Sequence, residues 1–254
     1  QIVRLPHPTW VPLISAFGLA LGFGATLASA YWLVAVGFAI ALMGITAWVW
    51  EPSDSGVLRD SGLRGLRLPV NAVDTRSHLH IAVVGTMLIS SALFASLLFA
   101  GLYLWNTQPH WAATTPPAEP LMAGLALVTS LAVLLLGWAS KRAAFGAKVT
   151  PVIAVDLGLA ASAAALGTLL LFSIRTVDPY GSAYAAVGWS LFAFVVGYLA
   201  VVIYWSLINA LRKAVGAVKP GQMLPNLLIG TFARVVAIMG GATAAAYLLA
   251  GGAL

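Results

Sequence analysis

Seven long apolar runs, parted by short polar or proline-containing segments, dominate the hydrophobic pattern of this chain. Trp10 to Ser29 and Tyr31 to Trp50 are separated by one residue and predict a tight helical hairpin. Five further runs follow: Leu79 to Trp105, Leu121 to Ser140, Pro151 to Ile174, Asp178 to Lys213, and Leu227 to Ala250. Roughly 20 apolar residues at ~1.5 Å rise cross the ~30 Å hydrocarbon core of a bilayer, so each run is long enough for a transmembrane helix. Asp178 to Lys213 has the fullest signature. It opens on the turn Asp178-Pro179-Tyr180-Gly181, carries no charge until Arg212, and places Tyr184, Trp189, Tyr204 and Trp205 towards its ends, where amphipathic rings settle at headgroup level. The pattern predicts an all-α polytopic membrane protein: a transmembrane hairpin over 1–50, a polar linker over 51–77, and a five-helix bundle over 78–254.

Composition strengthens this reading. With 61% hydrophobic and 8% charged residues and a mean hydropathy of +0.97, the chain lacks the polar surface needed to clothe a soluble globule. A formal charge of +6 would suggest nucleic acid in a soluble chain, but no basic stripe carries groove or stacking geometry. The cations instead follow topology. With a cytoplasmic N-terminus and linker and a C-terminus outside, one side receives Arg4, Arg59, Arg64, Arg67, Arg76, Lys141, Arg142, Lys148, Arg212, Lys213 and Lys219, and the other only Arg175. Cysteine is absent, which removes thiolate ligands and thiol chemistry.

Two charges fall inside the spans. Asp156 and Arg234 each lie about two turns in from the same side, and a lone charge in hydrocarbon costs several kcal/mol, so the expectation is an interhelical Asp156–Arg234 pair. A structural tie is the plainer role for it; a proton or ion path is the other, though no chain of further acids or histidines continues from the pair. The four histidines offer little metal chemistry. His7 and His110 fall in loops, and His78 and His80 open one helix, where residues two apart point in different directions and serve better as interfacial anchors than as a clamp. No Walker loop, H-E-x-x-H or G-x-S-x-G occurs.

Several stretches resemble subunit III of the haem-copper cytochrome oxidases. Leu88-Ile-Ser-Ser-Ala-Leu-Phe-Ala-Ser through Leu104 is similar to the family's third helix, Trp138-Ala-Ser-Lys-Arg-Ala to the end of its fourth, and Asp178-Pro-Tyr-Gly-Ser-Ala-Tyr-Ala-Ala-Val-Gly-Trp to the start of its sixth. The first hairpin, from Leu5-Pro-His-Pro-Thr-Trp to Trp48-Val-Trp50-Glu51-Pro52, resembles the C-terminal hairpin of bacterial subunit I chains fused to a five-helix subunit III. A fused tail would account for the start at Gln1 without Met; a free-standing seven-helix subunit is the other option.

The resemblance implies a non-redox accessory subunit of a proton-translocating terminal oxidase, in an inner or plasma membrane, with the bacterial plasma membrane favoured. It would pack against subunits I and II, which hold the haem and copper, and bind lipid near the oxygen route; the chain itself would hold no cofactor and no catalytic centre. The departures are specific. Ser91 stands where the family has a buried glutamate, Gly137 replaces the histidine before the fourth-helix tryptophan, and Ser190 and Ala193 replace the two sixth-helix histidines. Small packing residues remain where polar groups are lost, which favours scaffolding over proton handling. An accessory subunit of a nitric oxide reductase and a small-solute or ion transporter are the alternatives; a transporter would show internal repeats and broken helices, and no convincing repeat is present.

Overall fold

The structure, a computed structural model, describes residues 10–50, 78–107, 120–145, 148–175, 178, 180–181, 183–218 and 224–252. The linker expected over 51–77, the loop bearing His110 and Glu119, and His7 lie outside the described residues. Every element among the described residues is a helix: α1 (Val11–Leu27), α2 (Tyr31–Trp50), α3 (His78–Thr107), α4 (Pro120–Ala143), α5 (Val149–Ile174), α6 (Ala183–Ala214) and α7 (Leu224–Gly252). In α3 through α7 the spans are long and apolar enough to cross a membrane, whereas α1 and residues Trp32–Ala47 of α2 are apolar but shorter. In hydrocarbon a helix is favoured because it satisfies the backbone N–H and C=O groups within one segment, which is why apolar runs of this length fold as they do. The chain forms two compact units, Gln1–Val70 and Asn71–Leu254.

In the first unit α1 and α2 pack as the expected hairpin. The turn is made by Ser29 at φ 56°, with its N–H donating to Thr26 O and the Ala30 N–H reaching back to Ala25 O. A non-glycine residue in this left-handed region costs roughly 1–2 kcal/mol, accepted here because the reversal has almost no residues to spare. Small residues then let the two backbones close. A Cβ on Gly18 would lie 2.8 Å from Gly37 O, and one on Gly37 would lie 2.7 Å from Gly22 Cα. Gly24, the third glycine of that helix, faces open space.

In the second unit α7 is the central helix: two-thirds of its span (67%) is buried against one-sixth (17%) for α3. α4 runs antiparallel to α7 and forms the most extensive contact, with α5 against α6 next. Ser130 Oγ donates to Ala237 O, Gly137 lies beside Gly230, and Ser140 meets Asn226, so the register of the α4–α7 pair is fixed at three levels. The apolar centre comprises Leu159, Leu166 and Leu170 of α5, Val195 and Leu199 of α6, and Ile229 and Val236 of α7. α3 joins through aromatics. Phe94 meets Phe194 at 6.3 Å between ring centroids, Phe194 meets Tyr198 at 4.8 Å, Tyr198 meets Phe232 at 5.7 Å, and the Tyr198 hydroxyl bonds Ser90 Oγ.

The polar residues near the end of α6 owe their position to how that helix stops. Gly216 adopts φ 74°, its N–H donates to Lys213 O at 3.0 Å, and the Ala217 N–H donates to Arg212 O at 2.8 Å. This paired closure satisfies the last carbonyls and ends the helix just past Lys213. α7 starts with Leu224 and Pro225, whose missing N–H is harmless in a first turn. The helix thus begins three residues before the apolar run that opens at Leu227, and Asn226 lies within its first turn.

A Cβ on Gly230 would sit 2.5 Å from Gly137 O and 2.6 Å from Lys141 N, so Gly230→Val forces the helices apart. We expect it to lower bundle stability by about 1–3 kcal/mol or more. Gly124→Ala, at a position with open space around it, is expected to stay within about 0.5 kcal/mol of wild type. Thermal unfolding in mild detergent compares the two.

Candidate functional site: a buried polar cluster joining four helices

A single carboxylate organises the polar interior of the bundle. Asp156 sits on α5 about two turns from Val149, and no part of it is exposed. Its Oδ2 pairs with Lys213 Nζ in the last turn of α6; the side chains of both are almost wholly buried. Its Oδ1 accepts from Asn226 Nδ2 of α7 at 2.8 Å. That same amide nitrogen lies 3.0 Å from Ser140 Oγ of α4, and the Ser140 hydroxyl lies 3.4 Å from Asn226 O. Ser140, Asn226, Asp156 and Lys213 thus connect α4, α7, α5 and α6 in one hydrogen-bonded chain.

Each helix supplies its member by simple geometry. Ser140 lies three residues beyond Gly137, where α4 and α7 touch, so a short hydroxyl is enough to cross to Asn226. Lys213 is held inside by the closure at Gly216, which ends α6 before the side chain could extend into the loop. The polar face of α6 continues through Asn209 and Ser206, and Arg212 is also buried, at 8% exposure. Arg212 Nε, Asn209 Nδ2, Ser206 Oγ and Asn226 Oδ1 are buried without a hydrogen-bond partner among the described residues.

Arg234 is the partner that depth alone assigns to Asp156, and the structure corrects this: the carboxylate pairs with Lys213. Eight residues separate Asn226, which meets Asp156, from Arg234, which puts the arginine about 12 Å further along α7 and turns it about 80° away from that face, so the depths counted from the sequence do not match in the bundle. Arg234 is half-buried instead, and its Nε donates to Gly230 O at 3.1 Å, which folds the side chain back towards the N-terminal end of α7. Sequence reasoning misses Lys213 because basic residues at helix ends ordinarily mark topology. It misses Asn226 because that residue falls between two apolar runs, directly after Pro225.

The other candidates do not converge. Ser190 is exposed, with its hydroxyl bonded to Ala186 O at 2.8 Å on its own helix, and Ala193 is exposed as well. Ser91 is half-buried, while its neighbour Ser90 makes the contact with Tyr198. Gly137 belongs to the α4–α7 seam. His78 opens α3 and its side chain lies outside the described residues; His80, a half-turn further on, is half-buried. Among the described residues no group of three or more His, Asp and Glu gathers to hold a metal ion.

The fold and cluster define a helical protein with five helices fit to cross a membrane, hence a multi-pass membrane protein whose charged interior is held by an ion pair. No protein-family model and no curated protein matches the chain.

Removing one partner of a buried pair typically costs about 3–5 kcal/mol because the other charge is stranded, whereas replacing both with apolar residues is often near neutral. Asp156→Leu and Lys213→Leu should each destabilise the bundle on that scale, and the double variant should recover much of the loss. Asp156→Leu combined with Arg234→Leu should be close to additive, since the two side chains share no contact. Unfolding in mild detergent, read as two double-mutant cycles, checks both.

Proposed function

We propose that this chain is a non-redox accessory subunit of a haem-copper terminal oxidase. The observation that supports the reading is the grouping of the helices. α1 and α2 make one compact unit and α3 to α7 another, which is the two-plus-five division that the subunit III resemblance implies. All seven helices span the membrane in this reading, with the N-terminus inside and the C-terminus outside. The ends of α4, α5 and α6 that carry Lys141, Arg142, Lys148, Arg212 and Lys213 then lie inside, and Arg175, after α5, lies outside.

The bacterial plasma membrane is the location this implies, with subunits I and II as partners and with haem and copper in those partners. The chain works through packing: it stabilises the catalytic subunit and holds lipid beside the oxygen route. The polar cluster suits that task, because a buried hydrogen-bonded network fixes the mutual register of four helices and so the shape of the face they present.

Purification from native membranes in mild detergent followed by an optical spectrum tests the assignment. A haem spectrum that copurifies with the chain, together with oxygen turnover, is the expected result. Turnover of nitric oxide rather than oxygen would move the assignment to the reductase accessory subunit. A colourless, self-contained oligomer that binds a solute would replace it with a transporter.

A further inference from the structure

Arg234 is a cation within a membrane span that has no carboxylate partner among the described residues; Asp156, level with Asn226 about two turns nearer the start of α7, is taken by Lys213. Its surroundings have the composition of an anion site at headgroup depth. Its side chain turns back one helical turn, with Nε on Gly230 O, and Gly230 is the residue that meets Lys141 of α4: a Cβ there would lie 2.6 Å from Lys141 N. Arg234 Cγ in turn lies 3.0 Å from where a Cβ on Gly137 would be. The guanidinium is therefore brought to the level of Lys141, on the seam where α4 and α7 approach most closely.

This cationic pair lies on the outer flank of the seam. Ser140 and Asn226 turn to the inner flank, towards Asp156. From there Trp138 is turned about 200° around α4, and Arg234 and Ile238 about 80° and 120° around α7. Because α4 and α7 run antiparallel, these rotations bring all three to the same outer side. Exposure agrees: Trp138 is 48% and Ile238 63% exposed. The Arg142 guanidinium stacks over the Trp138 ring at 4.5 Å, which gives the flank a third cation and an amphipathic ring of the kind that settles at headgroup level.

We infer that the outer α4–α7 seam binds the phosphodiester of an anionic phospholipid, held by Arg234 and Lys141 with Arg142 and Trp138 at its edge and its acyl chains along Leu131, Leu135 and Ile238. The occupant follows from charge complementarity and depth: two cations with no acid beside them among the described residues, opening on lipid at the end of the span. A snorkelling arginine beside a lysine offers a forked donor and a point charge to one phosphate. The inference rests on the membrane-spanning reading and is independent of any oxidase partner.

The test uses the full chain in nanodiscs of phosphatidylcholine containing a minor fraction of phosphatidylglycerol, with retained lipid counted by native mass spectrometry. Phosphatidylglycerol should be enriched on the chain over its share in the disc. Arg234→Leu or Lys141→Gln should each reduce that enrichment about fivefold, the effect of one basic residue near an anionic surface. Arg234→Lys should retain most of it, and Arg175→Gln, at the opposite end of the bundle, should leave it unchanged. Should Arg234→Leu fail to fold, Lys141→Gln carries the comparison alone. Equal retention of both lipids by the wild-type chain, undiminished enrichment in Lys141→Gln, or inorganic phosphate displacing the retained lipid would overturn the inference. A chain that shows the enrichment yet copurifies with no haem would sink the oxidase assignment and leave this site standing.

Discussion

Burying a carboxylate among apolar helices is the constraint on which the interior of the bundle depends. Asp156 has no exposed surface, so its charge must be met by the protein itself. Lys213 meets it with an opposite charge and Asn226 with a hydrogen bond, and Asn226 passes the connection on to Ser140. The geometry is demanding: α6 must end where Gly216 ends it, and α7 must begin early enough to bring Asn226 level with Asp156. A slip of one turn in any of the four helices would strand a charge or break the chain of hydrogen bonds. Apolar packing between featureless helices tolerates such slips, and a polar chain does not.

The small residues of the α4–α7 seam make that chain possible. Gly137 and Gly230 let the two backbones approach until short side chains can bridge them, and the hydroxyls of Ser130 and Ser140 cross to α7 on either side of that point. In lipid, where helices gain nothing from excluding water from one another, close backbone approach and interhelical hydrogen bonds are the available sources of specificity. The same principle operates in the first unit, where Gly18, Gly22 and Gly37 interlock without any charge. Polar bonds and close approach are thus combined in the five-helix unit, and close backbone approach recurs in the hairpin.

The number of helices among the described residues was legible in the sequence, because apolar runs are a one-dimensional property, whereas α1 is shorter than the span its run suggests. The close pairing of α1 with α2 and the importance of Asp156 could be read as well. The identity of its partner could not. Position along a helix can be counted, but how far neighbouring helices are shifted past one another and which faces they present cannot, and Arg234 lies about two turns beyond Asn226, the residue of α7 that is level with Asp156. Lys213 and Asn226 were hidden because they occupy helix ends, where basic and amide residues usually mark the boundary. One signal was available: Arg212 and Lys213 come as a pair after Ser206 and Asn209, which gives α6 a polar stripe at helical spacing before the helix stops.

The most direct test of the claim that the Asp156–Lys213 pair sets the register of the bundle is to exchange the charges. Asp156→Lys combined with Lys213→Asp is measured for thermal stability in mild detergent against each single reversal. The amide of Asn226 can turn over to accept where it donated, so the exchanged pair should recover most of the stability that either single reversal loses. An exchanged chain no more stable than the worse of the two single variants would contradict the claim.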